Sequence, residues 1–227
     1  MENQLKLIKY LESFVSQNRS DLIHNKIQER TRHLTLVIED VFQSRNISAI
    51  TRSADCFGIQ DIHIIENKNK FLLDPSVSLG SGKWVNIIRH NRNNNNNTEE
   101  CISHLKKEGY RIIATTTKKG SMNINDIDIK NNKIALLLGS ELNGLSETAI
   151  NLADQKINIQ MFGFTESLNI SVAAGICSYH LINIIRKRNN NWRLNESEQQ
   201  EIILQWLRNS IRSSKEIEKK FSRRNKI

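Results

Sequence analysis

The chain has 227 residues, enough for one domain of ordinary size with appended helices. Lys and Arg number 33 against 24 Asp and Glu, a net charge of +9 and a pI of about 9.6, so an anionic partner is expected, nucleic acid before an anionic membrane surface. A hydrophobic content of 38%, a mean hydropathy of −0.50 and no run near the roughly 18 apolar residues of a spanning helix argue against an integral membrane protein.

The opening MENQLKLIKYLESF carries two acids and no continuous apolar stretch, so neither a secretory signal nor a transit peptide is expected. Residues 4–28 read as one helix, with Leu5, Ile8, Leu11 and Val15 at helical spacing. The period then changes, and Leu34–Ile38 reads as a buried strand. Asn46 is placed to cap a helix running to about Phe57 and closed by Gly58. Asp61–Ile65 is a second strand. Residues 66–90 read as loop and hold the single proline, Pro75, and the low-complexity run Asn91–Asn97 reads as an expanded surface loop. Thr98 opens a helix that Gly109 ends, and Tyr110–Ala114 is a third strand. Ile134–Leu138 is a fourth, Ser146–Ala153 a helix, Ile157–Ile159 a short fifth strand, and 167–187 a long helix. Its Ala173-Ala174-Gly175 patch suits close approach by another helix. Strands alternating with helices predict an α/β fold with a mainly parallel sheet, whose ligands bind beyond the carboxyl ends of the strands.

Several common chemistries lack their sequence support. There is no C-x-x-C and no H-x-x-x-H, so no zinc ligand set stands out by spacing. Gly82-Lys83 fails as a P-loop, because Val77 stands where the first glycine belongs and Trp84 where Ser or Thr does. Neither G-x-S-x-G nor G-x-G-x-x-G occurs. Cys56, Cys101 and Cys177 are odd in number and far apart, which argues for a reducing cytoplasm over a disulfide framework.

Three segments that follow strands carry the chemistry. In Asn46-Ile-Ser-Ala-Ile-Thr-Arg52, the arginine near a strand-to-helix corner either reaches a phosphate or developing oxyanion or pairs with Asp55 at i, i+3. In Gly139-Ser-Glu141-Leu-Asn-Gly144-Leu-Ser146, glycines five apart allow close backbone approach to a flat ligand before a helix capped by Ser146. In Glu166-Ser167-Leu168-Asn169-Ile-Ser171, polar side chains open an apolar helix. Ser167 reads as its N-cap, whereas Asn169 one turn inside asks for another partner, which a ligand would supply.

In this order and spacing the three segments resemble motifs 1, 2 and 3 of the SpoU/TrmH family of RNA ribose 2′-O-methyltransferases, within the SPOUT superfamily, over roughly residues 31–188. The resemblance implies a Rossmann-like α/β fold with a mainly parallel sheet and a C-terminal deep trefoil knot. It divides the chain into an N-terminal helical RNA-binding extension (1–30), the methyltransferase domain (31–188) and a basic C-terminal helical extension (189–227). It implies S-adenosylmethionine as methyl donor, bound by Thr115, Gly139, Gly144, Ile159, Met161 and Leu168, and no metal. Arg52 is the implied catalytic arginine, with Asn46, Glu141, Ser167 and Asn169 completing the site near the interface of a homodimer. The short flanking helices resemble those of the tRNA-directed members, which implies tRNA as partner and guanosine 18 of the D-loop as target. Two positions depart from the family pattern: Gln160 stands where a proline usually follows the residue matching Ile159, and Ser44-Arg45 where a Pro-His pair usually precedes the motif 1 asparagine.

The basic residues suit RNA. Arg30, Arg32, Arg45 and Lys83 precede or line the expected cleft side, and Arg186 and Arg188 close the long helix. Arg208, Arg212, Lys215, Lys219, Lys220, Arg223 and Arg224 follow as phosphate contacts or as a solvated basic face. Trp192 and Trp206 either stack on bases or, more in keeping with their setting, pack their helices on a core. Competing readings are an rRNA ribose methyltransferase and a non-catalytic RNA-binding protein on the same fold.

Overall fold

The computed structural model describes residues 2–92, 96–118, 120–129 and 132–224, with side chains from Asn3 to Arg223 within those ranges. Residues 93–95 of the asparagine run and the side chain of Arg224 therefore lie outside the described residues. Along the chain the helices and strands are α1 (Glu2–Glu12), α2 (Gln17–Ile27), β1 (Leu34–Glu39), α3 (Ser44–Cys56), β2 (Asp61–Ile65), α4 (Pro75–Ser78), β3 (Asn86–His90), α5 (Asn97–Lys107), β4 (Tyr110–Thr115), β5 (Met122–Asn123), β6 (Lys133–Leu138), α6 (Glu147–Leu152), β7 (Gln155–Asn158), α7 (Ile170–Arg188), α8 (Glu196–Ser210) and α9 (Ser214–Arg224). They form two compact units, Thr31–Trp192 and a helical unit that joins Met1–Arg30 to Arg193–Ile227.

The larger unit is an α/β fold on a seven-stranded sheet of order β3-β2-β1-β6-β4-β7-β5, in which every pairing is parallel. β1 and β6 lie at its centre, with Leu36 in register with both Ile62 and Leu136, and are buried almost throughout. A strand covered on both faces needs apolar residues at consecutive positions, which is why LTLVIE and KIALLL show no alternation. Successive residues still face opposite layers. Leu34, Leu36, Ile38, Leu136 and Leu138 pack with Ile47, Ile50 and Ala54 of α3 and Ala174, Cys177 and Leu181 of α7. Val37, Ala135 and Leu137 pack on the other side with Cys101, Ile102 and Leu105 of α5 and Ala149 of α6. β3 and the two-residue β5 form the edges.

Four sequence expectations change. The 4–28 helix is two helices, because hydroxyls at the joint compete with the helical ladder: Ser13 Oγ donates to the Tyr10 carbonyl at 2.7 Å, and Ser16 Oγ accepts from Arg19 N as the cap of α2. α3 begins at Ser44 with Gln43 in the cap position, so Asn46 lies inside the helix and its side chain is free for other work. Residues 66–90 hold α4 and the edge strand β3, which has one covered face and therefore only Ile87 and Ile88 to signal it. The fifth expected strand shifts to Gln155–Asn158, ending before Ile159.

In the helical unit, Ile8 and Leu11 of α1, Ile23 and Ile27 of α2, and Ile202, Leu204, Trp206 and Leu207 of α8 are buried. Asn195 and Glu198 close a capping box on α8. The two chain ends, expected as separate extensions, thus share one core. No helix among the described residues is long and apolar enough to cross a membrane.

Candidate functional site

A cavity of about 580 Å³ opens beyond the carboxyl ends of β4, β6 and β7. Its walls mix apolar side chains, Leu138, Leu145, Ile150, Ile157, Ile159 and Leu168 among them, with polar ones such as Asn46, Thr115, Glu141 and Asn158. Backbone from 115–118 and 139–145 adds donors and acceptors, a mixture that suits a small organic ligand with a flat ring and a polar tail. All six residues expected to hold a cofactor, Thr115, Gly139, Gly144, Ile159, Met161 and Leu168, line it. The Thr115 hydroxyl donates to the Leu137 carbonyl at 2.9 Å, tying β4 to β6 at the cavity mouth. Cys177 also lines it; burial pushes its thiol up to about 12, so it faces the cavity uncharged. Gln160, which replaces the expected proline, accepts a hydrogen bond from Asn123 at 3.2 Å, so a side-chain contact steadies that turn.

Three segments far apart in sequence meet on the rim. Asn169 Nδ2 donates to Asn46 Oδ1 at 3.1 Å, and Asn46 Nδ2 donates to Glu141 Oε1 at 2.6 Å and to Gln43 Oε1 at 3.3 Å. Asn169 is itself the N-cap of α7: its Oδ1 accepts from Ser171 N at 2.8 Å and Ser171 Oγ at 2.6 Å. The sequence expectation that Ser167 caps and Asn169 lies inside is corrected accordingly. Ser167 is exposed and lines the cavity just before the cap.

The loop that carries Glu141 is shaped by its glycines. Ser140 and Gly144 exchange backbone hydrogen bonds of 3.0 and 2.9 Å, folding the loop back on itself. Gly144 takes a φ of +66°, and a Cβ on Gly139 would lie 2.1 Å from the Gly144 carbonyl carbon. Behind this loop stands Glu39, a residue the sequence reading passed over. Its buried carboxylate accepts from Ser146 N and Ser146 Oγ, both at 2.8 Å, and from Thr98 Oγ1 at 2.5 Å, so the end of β1 holds the start of α6. An acidic residue closing an otherwise apolar strand is the signal that would have found it.

Arg52 is not brought to this cavity. It projects from α3 into solvent, with no hydrogen bond or ion pair to the described residues, including Asp55 at i, i+3. The basic residues singled out for RNA are spread over the molecule. Arg30 is buried, its guanidinium 5.1 Å from the Trp206 ring centroid. Arg32 precedes β1 and pairs with Asp61 at 2.8 Å, and Lys83 precedes β3, so both lie by the amino ends of strands whose carboxyl ends face the cavity side. Arg186 lies 4.5 Å over the Trp192 ring and Arg188 meets Asp128 at 3.3 Å, at the end of α7 remote from Asn169. The physical reason is direction: α7 starts at the cavity and runs away from it. Arg45, in the first turn of α3, stays near the rim, 3.7 Å from Asp74 and largely exposed. Trp192 and Trp206 are buried packing residues.

Comparison with known proteins places most of the chain in one family. A sequence model described as the SpoU rRNA Methylase family matches residues 33–179. A Borreliella burgdorferi protein named tRNA (guanosine(18)-2'-O)-methyltransferase is 39% identical over 217 residues, covering 96% of this chain and 97% of its own length. Among solved structures, the A. aeolicus TrmH/SpoU tRNA modifying enzyme aligns with a TM-score of 0.76 and 29% identity, over 86% of this chain and 98% of that one. An AdoMet-bound rRNA methyltransferase from Sinorhizobium meliloti aligns with a TM-score of 0.60 and 25% identity, over 70% of this chain and 59% of its own.

Proposed function

The chain belongs to the SpoU rRNA methylase family, and from that premise we propose that it methylates the ribose 2′-oxygen of tRNA, at guanosine 18 of the D-loop, with S-adenosylmethionine as donor. The observation that carries the reading is the Asn169–Asn46–Glu141 hydrogen-bond chain on the rim of a ligand-sized cavity, which joins the three motif segments. The donor fits the cavity by chemistry: apolar side chains for an adenine ring, backbone groups for its polar edge, and a loop at Gly139 too tight to admit a side chain. Thr115, Gly139, Gly144, Ile159, Met161 and Leu168 hold it, and when bound it supplies a methyl group already activated on a sulfonium. Asn46, Glu141, Ser167 and Asn169 orient the ribose, and holding the reacting atoms in line is worth roughly 7–11 kcal/mol. Arg52 binds the neighbouring phosphate and stabilises the developing alkoxide, a role that suits a guanidinium with a pKa above about 12 better than proton removal does.

Because Arg52 lies outside its own cavity, this reading includes a homodimer in which a second copy supplies the arginine. Val172, Ile176 and Tyr179 support it: they form an exposed apolar stripe on α7, and Tyr179 packs on Phe57 at the end of α3, the helix that bears Arg52. Exposed Phe162 and Phe164 beside the cavity segment extend the apolar surface. The C-terminal trefoil knot and a cytoplasmic location belong to the same reading.

A methyl-transfer assay with unmodified tRNA and, separately, rRNA tests it. Label at the D-loop guanosine is expected, and label in rRNA alone would keep the chemistry but discard the substrate. Arg52→Ala is expected to lose turnover while binding S-adenosylmethionine normally; near-wild-type turnover would remove Arg52 from the mechanism.

A further inference from the structure

On the face of the sheet that α5 covers, away from the cofactor cavity, two histidines and a cysteine converge. His63 of β2 and His90 of β3 lie on adjacent parallel strands, where Ile65 is in register with His90. Their rings stack at 20° with centroids 5.2 Å apart, and His63 Nδ1 lies 2.9 Å from His90 Nε2. Cys101 of α5 completes the group, and one ligand atom from each of the three lies within 4.8 Å of the others. His63 and Cys101 are buried, whereas His90 lines a second cavity, of about 720 Å³, which His104 also lines one helical turn beyond Cys101.

We propose that His63, His90 and Cys101 bind a zinc ion, with the fourth position open toward the cavity that His90 and His104 line. The donor set selects the metal. Two imidazoles and a thiolate favour zinc over magnesium or calcium, which take oxygen ligands. Zinc–nitrogen and zinc–sulfur bonds of about 2.0–2.1 and 2.3 Å place tetrahedral ligands roughly 3.3–3.6 Å apart. The histidine nitrogens must therefore part by a few tenths of an ångström and the sulfur move inward, within reach of side-chain rotation. Burial, and then the charges His90 and His104 would carry, lower His63 to about 3, so it stands neutral, the form that ligates. Burial and the nearby Glu39 push the Cys101 thiol well above its ordinary range, a cost that the sulfur–metal bond must exceed. Binding forms one sulfur–metal and two nitrogen–metal bonds and releases the thiol proton to solvent. The ion would staple the edge strand β3 and helix α5 to β2. No spacing rule finds this group, because its members come from three separate elements.

The test uses untagged full-length protein, stripped with a chelator and titrated with Co²⁺ as a spectroscopic stand-in. One ion per chain is expected, with the visible bands of a four-coordinate site and a near-ultraviolet sulfur-to-cobalt band, both lost on adding Zn²⁺. Cys101→Ser should lose the near-ultraviolet band, His90→Gln should weaken binding at least tenfold, and Cys56→Ser should change neither. Zn²⁺ should raise the unfolding midpoint of the wild type and not of His90→Gln. Absence of the sulfur band in folded wild-type protein, or its survival in Cys101→Ser, overturns the proposal. Should Cys101→Ser fail to fold, unchanged cobalt affinity in the half-buried His90→Gln variant overturns it equally.

Discussion

Gly139 and Gly144 sit in one loop for different reasons, and the difference predicts different losses. A Cβ on Gly139 would meet only backbone, 2.1 Å from Gly144 C and 2.2 Å from Leu145 N, and backbone held by the Ser140–Gly144 hydrogen bonds cannot yield cheaply. Gly139→Ala is therefore expected to weaken S-adenosylmethionine binding at least about tenfold by calorimetric titration, since the loop lining the cavity must open. Nothing crowds Gly144, so Gly144→Ala meets only its positive φ, about 1 kcal/mol in chemical denaturation. Asn46 is the pivot of the rim. Its removal leaves Glu141 without its 2.6 Å donor and Asn169 without its acceptor. Asn46→Ala should lower turnover about a hundredfold in the methyl-transfer assay while cofactor affinity stays near wild type. Asn46, Glu141 and Asn169 were legible because their chemistry travels with a local motif. Arg30 was not: its charge reads the same whether it meets a phosphate or, as here, the face of Trp206 from the other end of the chain.

Among elements, the contact of β1 with α6 is the most exacting. Three donors converge on the buried Glu39 carboxylate, and deleting it removes the acceptor of Ser146 N and of the Ser146 and Thr98 hydroxyls at once. Glu39→Ala should cost about 3 kcal/mol in urea unfolding, with the loss largest for exchange of amides in the first turn of α6. The central strands could be read directly, because burial on both faces demands uninterrupted apolar runs. β3 escaped notice because an edge strand needs one apolar face, and NIIRH offers two isoleucines between polar ends. The broken first helix escaped for another reason. Apolar spacing continues through Val15, and only the hydroxyl contacts of Ser13 and Ser16 end one helix and start the next.

At the scale of the whole molecule, charge and an exposed apolar face are the features that no single element explains. A net charge of +9 predicts tRNA binding that falls at least tenfold between roughly 50 and 200 mM salt, measured by filter binding. Arg45 remains beside the rim, while Arg212, Lys215, Lys219, Lys220 and Arg223 lie exposed in the helical unit. The α7 stripe makes a second prediction. Ile176→Glu places a charge where an apolar interface is proposed, and should yield a monomer by sedimentation that binds S-adenosylmethionine but transfers no methyl group. An active monomer would remove the second copy from the site.

The helical unit also imposes an order on synthesis. α1 and α2 leave the ribosome before the sheet, yet the residues that bury Ile8, Leu11, Ile23 and Ile27 belong to α8 and its neighbours, made after it. At about 5–20 residues per second, these two helices wait on the order of ten seconds or more with their apolar faces uncovered. Stalled or truncated chains lacking α8 and α9 would keep those faces exposed permanently, marking them for capture by holdase chaperones and for proteolysis in α1 and α2, far from the missing segment.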